Sequence, residues 1–131
     1  SAEFRAIYPM GVVPVLDTGT EILTQSGVIQ DWVMETTGKL QGENRREVLR
    51  WTIFDNQKVS GVAGPLRFLM NFIPEDKRNA DVIGFLAGRL KGALDVLERE
   101  LEGRDWLSGG TVTCADISCA GYLFYEEPFT F

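Results

Sequence analysis

An apolar stripe in the second half of the chain is the feature that most constrains the fold. Its members step by three and four residues, which keeps them on one face of an α-helix: Ile83, Leu86, Leu90, Leu94, Leu97 and Leu101. A helix with such a face is stable in water mainly when neighbouring elements cover that face. Gly103 follows the stripe and is typical of the residue just past a helix end. The sequence therefore predicts a long helix here that packs against other elements.

Helical spacing of apolar residues also marks the chain from about residue 43 to residue 70. We expect a first long helix over this range, which two glycines and a proline weaken or kink: Gly61, Gly64 and Pro65. Pro74 ends this helix, because proline lacks the N–H that a helix interior needs. Asp76 or Asn79 can then cap the helix that carries the stripe.

The four residues Thr113–Asp116 have the pattern of a capping box at the start of a last helix, which we expect to reach Phe124. In this motif the Thr113 hydroxyl accepts a hydrogen bond from the Asp116 N–H, and the Asp116 carboxylate accepts one from the Thr113 N–H. Because the motif accounts for this carboxylate, we interpret Thr113 and Asp116 as structural residues and not as catalytic groups.

The beginning of the chain predicts a β-hairpin followed by a helix. Residues 11–16 are apolar and β-branched, residues 17–19 form a turn signal, and residues 21–24 return as a second strand. Ser26 can cap the following helix, and residues 38–44, with two glycines, are typical of a linker. A two-stranded hairpin with one helix is not stable alone in water. We therefore expect these strands to need neighbours that this chain does not contain.

Composition excludes several classes of function. The 131-residue chain has a net charge of −6 and no dense Lys/Arg cluster, so a nucleic acid or a membrane surface is disfavoured as a partner. It contains no His, which excludes Ser-His-Asp and Cys-His catalysis and imidazole zinc sites, and we expect no metal. Cys114 and Cys119 would lie ~8.6 Å apart on one helix, too far for a disulfide. Reduced thiols fit a cytoplasmic protein.

Three segments follow one another in an order that is typical of one enzyme family. Residues 8–16 (YPMGVVPVL) hold a strand with a proline, residues 24–29 (TQSGVI) hold a Gln-Ser turn, and residues 97–107 with 113–117 hold a helix, a loop and the capping box. Together they resemble the cytosolic glutathione transferases, especially the bacterial ones, over essentially the whole chain. The resemblance implies an α/β thioredoxin-like N-terminal domain, of which only the second half is present, followed by an all-α helical bundle domain.

The resemblance also implies where the domains divide. Residues 1–37 would form the second half of the thioredoxin-like, glutathione-binding domain, residues 38–44 a linker, and residues 45–131 the incomplete helical domain. The catalytic Ser, Tyr or Cys of the family would lie before Ser1, and the last helices would follow Phe131. We therefore expect the chain to be a central segment of a longer polypeptide.

The binding residues that the resemblance implies are Val13, Gln25 and Ser26. Ser26, with Gln25 beside it, would hold the γ-glutamyl carboxylate of glutathione at a helix start, where free N–H groups and the helix dipole favour anions. A cis bond before Pro14 would turn the Val13 N–H and C=O toward the cysteinyl backbone of the ligand. From the residues alone, the favoured interpretation of Ser26 is a plain helix cap, and an X-Pro bond is usually trans. Val12 is apolar where many family members have Lys, Gln or Thr, so it offers the glycyl carboxylate only packing.

The implied function is that of a glutathione transferase. The thiolate of glutathione, as co-substrate, would attack a small hydrophobic electrophile, in a homodimeric, cytoplasmic enzyme that lowers the thiol pKa by hydrogen bonding to the sulfur. No residue of the chain fits the role of that donor: Tyr8 begins the wrong strand, and Tyr122 and Tyr125 lie on the last helix. The alternative is a non-catalytic interaction module with a glutathione-transferase-like fold. The carboxylate-binding turn favours the enzyme.

Gly84, Gly88 and Gly92 recur every four residues along the striped helix. Glycine weakens a helix interior, so three of them suggest that another helix approaches closely, either within the chain or at a subunit interface. The polar stretch Asp55–Lys58 is a candidate to line the cleft between the domains or the dimer interface.

Overall fold

The computed structural model describes residues 1–125, which form two compact units divided between Lys39 and Leu40, inside the predicted linker. The first unit contains α1 (Ala2–Ile7), β1 (Val15–Asp17), β2 (Ile22–Thr24) and α2 (Ser26–Thr37). The second contains α3 (Arg45–Lys58), α4 (Ser60–Asn71), a 3₁₀ turn (Glu75–Lys77), α5 (Ala80–Glu100) and α6 (Cys114–Ala120). The part of the helical domain predicted over residues 126–131 lies outside the described residues. None of the helices in the described range is long and apolar enough to cross a membrane.

The two predicted strands pair antiparallel, with Val15 opposite Thr24, but the hairpin is shorter than the sequence indicates. A carboxylate oxygen of Asp17 accepts a hydrogen bond from the Gly19 N–H at 2.8 Å, which closes the turn. Gly19 has φ +85°, a conformation that residues with a side chain rarely adopt. The prediction of a strand from residue 11 is wrong for its first four residues. They form a loop that begins with Gly11 at φ +67°.

A short helix before the hairpin, α1, is absent from the sequence prediction. It has six residues, and the Ser1 side chain caps it by accepting a hydrogen bond from the Phe4 N–H at 3.2 Å. None of its residues is buried. A helix this short and this exposed leaves no apolar periodicity by which the sequence would reveal it.

Gln25 is the N-cap residue of α2, so the prediction that Ser26 caps this helix is wrong. The Gln25 carbonyl oxygen accepts hydrogen bonds from the N–H groups of Val28 and Ile29, both at 3.1 Å. Ser26 is therefore the first helical residue. The helix α2 ends at Thr37, directly before the predicted linker, and Gly38 follows it in the left-handed conformation with φ +67°.

The helices of the second unit share an apolar core. Its buried residues come from α3 to α6 and the loop before α6: Val48, Trp51, Val59, Val62, Ala63, Leu66, Leu90, Ala93, Leu97, Leu107, Cys114, Ala115 and Cys119. The predicted stripe on α5 is buried at Leu90 and Leu97, whereas its ends, Ile83 and Leu101, are partly exposed. Asn79 caps α5 by accepting hydrogen bonds from two N–H groups of its first turn, which confirms one of the two predicted caps.

The predicted long first helix is two helices, α3 and α4, which are separated at Val59. The Asp55 carboxylate stabilises the break by accepting hydrogen bonds from the Ser60 N–H at 3.2 Å and the Ser60 hydroxyl at 2.6 Å. The backbones approach so closely that a Cβ on Gly61 would lie 2.1 Å from a carbonyl oxygen of α3. Only glycine fits there. Pro65, by contrast, lies inside α4 without ending it.

The predicted capping box is formed at the start of α6. The Thr113 side chain accepts from the Asp116 N–H. One carboxylate oxygen of Asp116 accepts from the Thr113 N–H at 2.8 Å and from the Thr113 hydroxyl at 2.9 Å. The other carboxylate oxygen accepts from the Leu107 N–H at 2.7 Å. The helix ends at Ala120, earlier than expected.

Candidate functional site

The residues predicted to bind glutathione lie at one end of the hairpin in the first unit. β1 starts at Val15 and β2 ends at Thr24, and these two residues are direct partners in the antiparallel ladder. Val13, just before β1, and the Gln25–Ser26 pair, just after β2, therefore leave the hairpin at the same end. The fold brings together residues that are well separated in the sequence.

Gln25 has an unusual backbone conformation where β2 gives way to α2. Its φ is +71° and its ψ is 125°, a combination that non-glycine residues seldom adopt and that is concentrated at functional sites. The N–H groups of Ser26 and Gly27 precede the first helical hydrogen bond and lie at the positive end of the dipole of a 12-residue helix. The Ser26 hydroxyl has no hydrogen-bond partner among residues 1–125. These donors can hold a carboxylate.

The backbone of Val13 makes no hydrogen bond within residues 1–125. The Val13–Pro14 bond is cis, and Val13 is 79% exposed. Neither the N–H nor the C=O of Val13 has a hydrogen-bond partner within residues 1–125. A free backbone donor and acceptor beside a strand are the groups with which an extended peptide ligand pairs.

Tyr8 is linked to the candidate site by a hydrogen bond with Gln25 that the sequence does not predict. Its hydroxyl accepts from Gln25 Nε2 at 2.8 Å, across 17 residues of sequence. Its backbone N–H donates to Phe4 O at 2.9 Å, and its carbonyl accepts from the Gly11 N–H at 2.8 Å. The prediction that Tyr8 begins a strand is wrong, because it ends α1. No local pattern signals such a contact, since it joins the end of α1 to the start of α2.

Arg5 brings positive charge to the loop before Val13. Its guanidinium donates to the Pro9 carbonyl at 3.4 Å and lies against Gly11, where a Cβ would be 3.0 Å from Arg5 Cζ. The neighbouring Val12 side chain is apolar and half exposed. Arg5 is the single Lys or Arg in residues 1–38.

The most deeply buried acid of the second unit has a structural role. Asp55 is 3% exposed, and its second carboxylate oxygen accepts from the Ser118 hydroxyl at 2.7 Å. Together with the hydrogen bonds from Ser60, this contact joins α3, α4 and α6. Within the stretch Asp55–Lys58, the Asp55 carboxylate is thus already engaged, whereas the side chains of residues 56–58 are exposed.

Among residues 1–125, Cys114 and Cys119 are both buried and neither is in a disulfide, as the sequence indicates. Burial, together with the nearby carboxylates of Asp55 and Asp116, raises the pKa of the Cys119 thiol to about 12. This thiol therefore stays protonated at neutral pH and is a poor nucleophile. Among residues 1–125, no group of three His, Cys, Asp or Glu side chains is placed to hold a metal ion.

Gly84, Gly88 and Gly92 lie on an open part of α5. A Cβ at any of them would meet no atom of the described residues within 4 Å. The expectation that these glycines allow close packing inside the chain is therefore wrong for the described residues. The alternative, a subunit interface, stays a prediction.

Sequence comparison points to one family. Residues 62–125 match the family model described as the glutathione S-transferase C-terminal domain. Glutathione S-transferase GST-4.5 of Xanthomonas campestris pv. campestris is 28% identical over 130 residues, which cover 95% of this chain and 62% of the relative. The chain thus spans about three fifths of the length of this curated relative.

Solved structures agree with the sequence match. A glutathione transferase from Burkholderia graminis, with two glutathione molecules bound per subunit, is similar with a TM-score of 0.84 at 25% identity, over 94% of this chain and 55% of that one. A glutathione S-transferase from Pseudomonas fluorescens is similar with a TM-score of 0.78 at 30% identity, over 94% of this chain and 63% of that one. Together these findings show that the chain is similar to bacterial glutathione transferases and has their fold, a partial thioredoxin-like unit followed by a helical one.

Proposed function

We propose that the protein is an enzyme, a glutathione transferase that binds glutathione and promotes attack of its thiolate on small hydrophobic electrophiles. One observation carries the proposal. Val13, Gln25 and Ser26 meet at one end of the hairpin with free backbone and hydroxyl groups, in a fold whose relative from Burkholderia graminis holds glutathione.

Each binding residue has a distinct task in this proposal. The Ser26 hydroxyl and the N–H groups of the first turn of α2 hold the γ-glutamyl carboxylate, assisted by the helix dipole. The Val13 N–H and C=O pair with the cysteinyl part of glutathione like an added strand. Pro14 fixes the loop that presents Val13.

Glutathione supplies the nucleophile, so the chain needs no histidine and no nucleophilic side chain of its own. The group that activates the thiol is not assigned to any residue of this chain. We also propose a homodimer and a cytoplasmic location. The uncovered glycines on α5 support the first, and the two buried, reduced thiols support the second.

The test of the binding site is Ser26→Ala in the full-length protein. We expect it to weaken glutathione binding about tenfold, because a hydrogen bond to a charged carboxylate is lost. Thr36→Ala is the matched control, since it removes an exposed hydroxyl near the other end of α2, and its affinity should equal that of the wild type. Isothermal titration calorimetry measures both.

Two outcomes would contradict parts of the proposal. Equal affinity of wild type and Ser26→Ala would reject the assignment of the carboxylate site. Glutathione binding without conjugation of any tested hydrophobic electrophile would favour the non-catalytic interaction module.

A further inference from the structure

We infer that Tyr8 is a positioning residue that turns the Gln25 side chain so that its Oε1 atom faces the ligand and accepts a hydrogen bond from the α-ammonium group of glutathione. The inference rests on the proposed function. It adds a role for a tyrosine outside the three binding residues, as the group that orients one of them.

The first step is the geometry of the amide. A glutamine side chain has one NH₂ donor and one oxygen acceptor, which diverge from the same carbon atom. Gln25 Nε2 donates to the Tyr8 hydroxyl at 2.8 Å. The donor is thereby engaged, and Oε1 has no hydrogen-bond partner among residues 1–125. The exposed end of this side chain is therefore an acceptor.

The second step is that both partners are fixed by their backbones. Tyr8 is held by the hydrogen bonds of its own N–H and C=O to Phe4 and Gly11. The Gln25 carbonyl is held by two N–H groups of α2, in a conformation with φ +71°. A hydrogen bond between two fixed groups orients the amide before the ligand arrives, so less side-chain entropy is lost on binding.

The third step is the chemistry of the ligand. In the proposed site the γ-glutamyl carboxylate lies at Ser26, and the α-ammonium group is attached to the same carbon atom as that carboxylate. The ammonium group therefore lies within reach of the adjacent Gln25. It has only donors, so an oxygen can receive it in a charge-assisted hydrogen bond, whereas an NH₂ group cannot. Tyr8 thus selects ligands that carry an α-amino acid group.

The test compares two ligands on the full-length protein. One is glutathione, and the other is glutaryl-cysteinyl-glycine, which lacks only the α-amino group. We expect wild type to prefer glutathione. Tyr8→Phe should weaken glutathione binding about threefold to tenfold and leave the affinity for the analogue unchanged. Tyr125→Phe, which removes a phenol hydroxyl from the second unit, should change neither affinity.

Two substitutions of Gln25 test the same idea without touching Tyr8. Gln25→Glu keeps an acceptor and adds negative charge, so the preference for glutathione over the analogue should be retained or increased. Gln25→Met has a similar length but no acceptor, and it should lose that preference. Thermal melting of every variant shows whether it is folded.

The outcomes separate this inference from the proposed function. If Tyr8→Phe weakens both ligands by the same factor, or if Gln25→Met keeps the preference, the role of Tyr8 is overturned while glutathione binding stands. If wild type binds neither ligand, the proposed function is rejected, and this inference with it.

Discussion

Three donor groups converge on the carboxylate of Asp116. Two of them belong to Thr113 at the start of α6, and the third is the N–H of Leu107 in the preceding loop. A carboxylate that accepts this many hydrogen bonds in a partly buried place closes the helix end and the loop at once. Both of its oxygens are thus engaged in structural hydrogen bonds, which supports the interpretation of Asp116 as a structural residue.

Asp116→Ala is therefore expected to lower the free energy of unfolding by about 2 kcal/mol or more, because the cap is lost and partly buried N–H groups lose their acceptor. Asp105→Ala, which removes an exposed carboxylate from the same loop, should stay within about 0.5 kcal/mol of wild type. Denaturant titration measures both, and glutathione affinity should be unchanged in both. An Asp116→Ala protein as stable as wild type would contradict this account.

At the scale of the element, the boundary between α3 and α4 depends on a close backbone approach. Asp55 binds Ser60 across the break, and Gly61 lies where a side chain would collide with α3. On α5, Gly88 has open space on the side where its Cβ would be. Gly61 is required because a side chain would collide with α3, whereas a side chain at Gly88 would meet no described atom.

Substituting these glycines should produce changes of opposite sign. Gly61→Ala is expected to destabilise the protein by about 2 kcal/mol or more, because a contact of 2.1 Å forces the backbone to move. Gly88→Ala is expected to raise the stability by up to about 1 kcal/mol, because Ala is the better helix former. Chemical denaturation at low protein concentration tests both. A Gly61→Ala protein as stable as wild type would mean that the backbone approach at Gly61 is not limiting, and a destabilised Gly88→Ala protein would mean that the space beside Gly88 is not open.

These elements also show what the sequence can predict. The α5 helix, its Asn79 cap and the Thr113–Asp116 box depend on residues close in sequence, and the structure confirms them. The break at Val59 and the Tyr8–Gln25 hydrogen bond depend on groups that meet only in three dimensions.

The site itself was predictable from the sequence only through the family resemblance. The local sequence pattern alone predicts that Ser26 is the N-cap of α2. In the structure Gln25 is the N-cap residue and Ser26 is the first helical residue. A backbone-binding residue such as Val13 leaves no signal in its side chain.

At the scale of the whole molecule, the two units bury very different amounts of apolar surface. Among residues 1–39 only Met34 is buried, whereas the second unit holds a core that extends over four helices. Since burial of apolar surface is the main stabilising contribution, stability measured on this chain reports chiefly on the second unit. Cys119 lies in that core, so the reactivity of its thiol can report on the unfolding of the second unit.

The thiol of Cys119 should react only when the second unit opens. Its pKa is raised from 9.0 to about 12 by burial and nearby carboxylates, so the folded state keeps the proton in a range where the unfolded chain loses it. The contribution of this group to stability is therefore complete below pH 9 and is lost as the pH rises toward 12.

Alkylation at pH 8.5, followed residue by residue with mass spectrometry, should label Cys119 slowly and at a rate that increases with denaturant. Ile117→Cys places a thiol at an exposed position of the same helix and should react quickly. Comparable rates at the two positions in the absence of denaturant would show that Cys119 is accessible.

The hydrogen bond between Asp55 and Ser118 has a consequence for the order of folding. It spans 63 residues, and α6 has only seven residues, fewer than the roughly 12 that an isolated helix needs in water. Closing so long a stretch of chain is entropically unfavourable until the contacts within it have formed. We therefore expect the short helix α6 to form late in folding. It docks onto helices that have already assembled and does not nucleate them.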